Sequence, residues 1–103
     1  MFYRFYAIKF GSQPTSKLAA AFFTESLEKD GDRLPILTAE ILFDAEGSII
    51  LQVGCASVND MNKFTRYGDA LIEQLRHSFT CKVEKYSTIS VFKYERQNTP
   101  VAL

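Results

Sequence analysis

The chain of 103 residues has the length of one ordinary domain, and 47% apolar residues are enough for one packed core. Its basic and acidic side chains number 12 each, so no overall field attracts nucleic acid or an acidic membrane surface. No apolar run approaches the roughly 18 residues that a membrane-spanning helix needs. We therefore expect a cytoplasmic protein without membrane contact, with a single domain over residues 1–95 and a fraying tail over residues 96–103.

The two cysteines, Cys55 and Cys81, are too few for a disulfide framework and lack the CxxC spacing of zinc and redox sites. Free cysteine is commonly buried as a small apolar residue. We expect the pair on strands that flank a common neighbour, about 9 to 10 Å apart. That separation exceeds the reach of a disulfide, so the sequence predicts two free thiols.

The first strand and the first helix are predicted from the amino-terminal third of the chain. Residues 3–10 carry aromatic and β-branched side chains in both alternating sets, which is typical of a central strand buried on both faces. A helix should follow, from an N-cap at Ser12 or Thr15 to about Lys29, and Gly31 should end it. Its apolar stripe consists of Ala19, Phe22, Phe23 and Leu27.

A β-hairpin is predicted next. Residues 36–43 and 48–56 both alternate apolar and polar side chains, and the turn between them contains Gly47, which can adopt a positive φ. In the second of these strands one face is apolar, with Ile49, Leu51, Val53 and Cys55.

The last two elements are a second helix and a long final strand. The helix should begin at Ser57 or Asn59 and reach Ser78, and its internal Gly68 should be compensated by close packing on the sheet. The final strand is predicted over residues 82–94.

The order strand-helix-strand-strand-helix-strand limits the topology. With right-handed crossovers it gives an antiparallel sheet in the order 4-1-3-2, with both helices on one face and the other face open. The predicted fold class is therefore α+β, a ferredoxin-like split βαβ sandwich (βαββαβ).

No arrangement of residues predicts catalysis, a cofactor or a metal. The single histidine, His77, falls on the solvent side of the second helix, four residues after Glu73. The acidic groups lie at a helix end and at the hairpin tip, without the spacing of a calcium loop. Residues 11–17 match neither GxGxxG nor GxxxxGK[ST]. We therefore predict no catalytic, cofactor-binding or metal-binding residue.

Nucleic-acid recognition is disfavoured by the third strand. RNA-recognition domains that share this element order carry aromatic and basic side chains there, whereas residues 48–54 have neither. We therefore do not expect nucleic acid as a partner.

The open sheet face is the surface that the sequence leaves for partner binding. We expect Phe5 and Ala7 to face the helices, and Tyr6 to stand at the centre of the open face beside Gln52 and Tyr86. Tyrosine and arginine are preferred anchors of protein interfaces. The predicted partner-binding residues are Arg4, Tyr6, Glu40, Gln52 and Tyr86.

The leading hypothesis is a non-enzymatic interaction or regulatory protein, of inhibitor or adaptor type. It would bind a protein partner, or a second copy as a homodimer, through the open sheet face or an edge strand. One alternative is a dimeric small-molecule sensor or small enzyme with an inter-subunit pocket lined by Arg4, Tyr6 and Tyr86. A second alternative is a nucleic-acid-binding module that uses Arg4, Lys82, Lys85, Lys93 and Arg96.

Overall fold

A computed structural model describes residues 1–96 and has the predicted order of elements. The elements are β1 (Phe2–Phe10), α1 (Gln13–Asp30), a 3-10 helix (Gly31–Arg33), β2 (Thr38–Phe43), β3 (Ile49–Cys55), α2 (Val58–Ser78) and β4 (Cys81–Ile89). The antiparallel strands lie in the order β2-β3-β1-β4, which confirms the predicted topology. Most of the predicted tail lies outside the described residues. Neither long helix combines the length and hydropathy that crossing a membrane requires.

The two long helices begin at predicted N-caps. The Ser12 hydroxyl accepts a hydrogen bond from the Thr15 N–H at 3.4 Å, and the Ser57 hydroxyl accepts one from the Asp60 N–H at 3.1 Å. Each bond satisfies an N–H that has no partner within its helix. Gly31 caps α1 as predicted, but with a right-handed φ of −54° that continues into the 3-10 helix. The helix end therefore does not depend on a left-handed glycine.

The hairpin between β2 and β3 is held by one carboxylate. Asp44 Oδ1 accepts hydrogen bonds from the N–H groups of Glu46 and Ser48, each at 2.8 Å. The N–H of Ser48 in particular stabilises the charged form and lowers the pKa of Asp44. Gly47 has a φ of 84°, which other residues adopt only with strain.

The core lies between the helices and one face of the sheet. Tyr6 of β1 stands opposite Leu51 of β3, and Ile8 stands opposite Ile49. All four are buried, and they pack with Ala19, Phe23, Phe64, Leu71, Ile72 and Leu75 from the two helices. This arrangement leaves the opposite face of the sheet away from both helices, as the sequence predicts.

The cysteines are free, as predicted, but their spacing differs from the prediction. Cys55 stands opposite Phe2 and Cys81 stands opposite Phe10. They therefore lie at the two ends of β1, roughly 26 Å apart along the strand direction at about 3.3 Å per residue. The expected 9 to 10 Å was wrong because it counted only the spacing across the strands, whereas in an antiparallel sheet the end of β3 and the start of β4 pair with opposite ends of β1.

Candidate functional site

The open face is the side of the sheet that points away from the helices, and its side chains form rows across the strands. The central row consists of Glu40, Gln52, Phe5 and Tyr86. On one side of it lies a row of Thr38, Gly54, Tyr3 and Thr88. On the other side lies a row of Leu42, Ile50, Ala7 and Glu84. Beyond the last row, Lys9 stands beside Lys82.

Three predicted partner-binding residues, Glu40, Gln52 and Tyr86, lie together in the central row. The row also contains Phe5, whose ring centroid is 6.1 Å from that of Tyr3. Tyr86 keeps 49% of its surface exposed. The open face therefore has an aromatic centre with polar groups at its sides, which is the composition of many interface cores.

Tyr6 and Arg4 do not lie on the open face, and the predicted orientation of β1 was wrong. Tyr6 is fully buried, with 0% of its surface exposed, and it stands opposite Leu51 and Lys85 on the helix side. Arg4 shares that side. Successive side chains of a strand point to opposite faces, so an error of one residue exchanges the two faces. Phe5 occupies the place beside Gln52 and Tyr86 that was predicted for Tyr6.

On the helix side, five residues form what we call the inner polar cluster: Arg4, Tyr6, Asp69, Lys85 and Ser87. Asp69 Oδ1 accepts a hydrogen bond from the Tyr6 hydroxyl at 2.8 Å and one from Arg4 Nη2 at 3.3 Å. Lys85 Nζ lies 3.5 Å from the same oxygen. Arg4 Nη1 donates to Ser87 Oγ at 2.8 Å, and its guanidinium carbon is 5.1 Å from the Tyr6 ring centroid. The cluster ties α2 to β1 and β4.

The protonation states in the inner polar cluster are set by burial and by its hydrogen bonds. Burial and the hydrogen bond to the Asp69 carboxylate together raise the pKa of Tyr6 to about 12, against the opposing effect of Arg4. Burial alone would raise the pKa of Asp69, but the Tyr6 hydroxyl, Lys85 and Arg4 outweigh it and lower that pKa. At neutral pH the phenol is a hydrogen-bond donor and the carboxylate is charged. These states suit a structural contact better than proton transfer near pH 7.

Gly68 allows α2 to approach the cluster. A Cβ at this position would overlap the Tyr6 hydroxyl and would lie 3.0 Å from Tyr6 Cζ. The prediction of close packing at Gly68 is therefore confirmed. Sequence reasoning did not predict Asp69 or Ser87 as partners of Arg4 and Tyr6, and it named Lys85 only as a possible contact for nucleic acid.

Strongly alkaline pH should destabilise the protein in part through Tyr6. Because its folded-state pKa of about 12 exceeds the usual 10.0, the stability it contributes is complete below pH 10 and is lost as the pH rises toward 12. Urea unfolding of the wild type and Tyr6→Phe at about pH 8 and about pH 11.5 measures this loss. The free energy of unfolding should fall less in Tyr6→Phe.

A fall will remain in Tyr6→Phe, since burial and a hydrogen bond to Asp30 also raise the pKa of Tyr67 to about 12. Equal falls in wild type and Tyr6→Phe would contradict the assignment of alkaline sensitivity to Tyr6.

Residues 1–96 contain no group of three or more histidine, cysteine, aspartate or glutamate side chains placed to hold a metal ion. His77 is exposed on α2, and the acid nearest it in sequence, Glu73, forms an ion pair with Arg76 at 3.6 Å. The open face is therefore the main candidate surface.

Comparisons with known proteins bear on the fold. No family model matches the chain, and no curated protein matches it. It is similar to a dimeric ferredoxin-like protein from an uncultured marine organism, with 18% identity and a TM-score of 0.66, over 92% of this chain and 98% of that chain. It is also similar to a proposed antibiotic biosynthesis monooxygenase from Deinococcus radiodurans, with 10% identity and a TM-score of 0.73, over 95% and 100% of the chains. At these identities the likeness concerns architecture, and the chain has the ferredoxin-like βαββαβ fold.

Proposed function

We propose that this chain is a non-enzymatic interaction protein that binds a second copy of itself through the open face. The observation that carries the proposal is the aromatic centre of that face, where Tyr3 and Phe5 lie against each other in the middle of the sheet. Tyr86 stands beside Phe5 on β4 with 49% of its surface exposed, and Leu42 lies on β2, beyond Ile50, with 39% exposed. A contiguous apolar patch of this kind is a typical association site.

The charges of the open face are compatible with self-association. Lys9 and Lys82 lie at one end, and Glu40 and Glu84 lie on the two edge strands. Two positive and two negative groups cancel, so stacking two copies accumulates no net charge. Lys9 and Lys82 stand directly opposite each other, an unfavourable pair that a carboxylate of a second copy would relieve.

The similar marine protein supports the same proposal, because it is itself described as dimeric. A twofold axis placed between two open faces makes each face its own partner. Such an interface would bury the central row of both copies.

The two alternative functions find less support. A pocket lined by Arg4, Tyr6 and Tyr86 would need these residues on one side of the sheet, but Tyr86 lies on the side opposite the other two. A basic stripe for nucleic acid is also interrupted, because Lys82 and Lys85 point to opposite faces of β4.

Phe5→Glu should abolish or greatly weaken association through the open face while leaving the protein folded. Removing a central aromatic anchor typically costs about 2 kcal/mol or more, roughly thirtyfold in affinity, and the buried charge adds to this loss. Sedimentation equilibrium of wild type and variant gives the two dissociation constants, and circular dichroism checks the fold.

The matched control is Leu18→Glu, which makes the same kind of change at an exposed position of α1. It should leave the dissociation constant unchanged. A wild type that stays monomeric at millimolar concentration, or a folded Phe5→Glu that associates like wild type, would refute the proposal.

A further inference from the structure

The segment after β4 continues a strand-forming sequence without a strand partner in the described chain. The sequence predicts a strand to residue 94, but β4 ends at Ile89. The ladder with β1 stops at the Phe2–Ile89 pair and at a hydrogen bond of 2.9 Å from the Ser90 N–H to the Met1 carbonyl. We call residues 90–94 the arm.

The arm exposes three large side chains within four residues. Val91, Phe92 and Tyr94 keep 91%, 82% and 71% of their surfaces exposed. Scattered single apolar residues are ordinary at a surface, whereas a run of this kind usually marks a contact. Ile89, the last residue of β4, is also exposed.

The outer edge of β4 is a second part of the described chain whose backbone groups have no strand neighbour. Within the described sheet β4 pairs with β1 alone, so its other edge carries backbone groups without a strand neighbour. Its first half is protected by the charges of Lys82, Glu84 and Lys85, a common defence of edge strands. Its second half, residues 86–89, has no charged side chain.

We propose that the arm of each copy adds as an antiparallel strand to the outer edge of β4 in a second copy. One twofold axis near Ser90 makes the exchange reciprocal, because the arm of either copy then lies beside residues 86–89 of the other. This register places Ile89 opposite Val91 and Thr88 opposite Phe92, and it joins the two sheets into one. A second copy fits this contact because the same segment contains both the free edge and the strand.

The backbone direction agrees with this register. The N–H of Ser90 points inward to Met1, and in an antiparallel strand the neighbouring residues point the opposite way. The N–H and C=O groups of Ile89 therefore point outward. In one copy the chain bends at Val91, and an arm that continues the line of β4 would turn the Val91 groups outward as well, so that Ile89 and Val91 of two copies exchange two hydrogen bonds. Of the central row, the contact reaches only Tyr86, on the edge strand, whereas Phe5 on β1 lies outside it.

The test is hydrogen exchange of the Val91 and Lys93 amides in the whole protein at low and high concentration. Both amides should become at least about tenfold more protected in the associated protein. Val91→Pro, which removes an outward donor, should abolish the concentration-dependent protection of Lys93. The control Arg96→Pro lies beyond the paired segment and should preserve it.

Protection that does not change with concentration would overturn the proposal, since it would indicate pairing within one copy or none at all. The Phe5→Glu background separates this contact from the open-face dimer. In that background the arm should still join two copies, and adding Val91→Pro should give a monomer. If only Val91→Pro affects association, the open-face proposal fails and the arm proposal stands. If only Phe5→Glu affects association, the arm proposal fails and the open-face proposal stands.

Discussion

Tyr6→Glu should unfold the protein. Tyr6 is fully buried, and its hydroxyl donates a hydrogen bond to Asp69. A glutamate at this position would replace that donor with a second carboxylate beside Asp69. Loss of a buried aromatic ring costs about 3–5 kcal/mol and desolvation of the new carboxylate adds to it, whereas the total stability of a domain is only about 5–15 kcal/mol. Circular dichroism and urea unfolding should show loss of the cooperative transition.

Tyr86→Glu is the matched control for Tyr6→Glu, because Tyr86 stands on the next strand with about half of its surface exposed. It should remain folded, with a free energy of unfolding within about 1 kcal/mol of wild type. A stably folded Tyr6→Glu would contradict the orientation of β1 described above.

Gly68→Ala should destabilise the protein by about 2 kcal/mol or more, although alanine is the better helix former by about 1 kcal/mol. The added Cβ meets the Tyr6 hydroxyl and lies 3.0 Å from a Phe64 ring carbon, so α2 must move away from the sheet. Urea unfolding measures the loss. Gly31→Ala is the control, since a Cβ there meets nothing within 4 Å and the φ is right-handed.

The cause of the Gly68→Ala effect can be isolated with Tyr6→Phe, which removes the hydroxyl that the new Cβ overlaps. Gly68→Ala should cost clearly less in the Tyr6→Phe background than in the wild type, a coupling typical of residues in direct contact. Additive costs would show that the close approach of α2 to Tyr6 is not the reason for the glycine.

The topology could be predicted from the sequence because several signals agreed. The N-cap residues indicated where the helices begin. The turn at Gly47 and the alternation of β3 indicated the hairpin. In β3 the face is unambiguous, since Leu51 and Val53 alternate with Gln52 and Gly54. Within the open face, these signals were enough to place Glu40, Gln52 and Tyr86 correctly.

The orientation of β1 could not be predicted in the same way. Its two alternating sets both contain aromatic residues, so burial does not distinguish Phe5 from Tyr6. Arg4 was predicted as an interface anchor, but its guanidinium is held by Asp69 and Ser87 and only 13% of the side chain is exposed. Only the register with β3 and the approach of Gly68 settle which set is inside.

The end of β4 was also beyond the reach of sequence patterns. Residues 90–94 have strand-forming side chains, yet a strand forms only where another strand offers hydrogen bonds. The ladder with β1 ends at Ile89, so the strand ends there as well. Local propensity predicted that the segment can form a strand. In one copy it does not, because the ladder with β1 has ended.

The most direct measurement of the open-face proposal is an isotope-filtered nuclear Overhauser experiment on a mixture of labelled and unlabelled protein, which detects contacts only between copies. We expect intermolecular signals from the rings of Tyr3, Phe5 and Tyr86 to open-face side chains of the other copy. Intermolecular signals confined to residues outside the open face, or none in a sample concentrated to about 1 mM, would contradict the proposal.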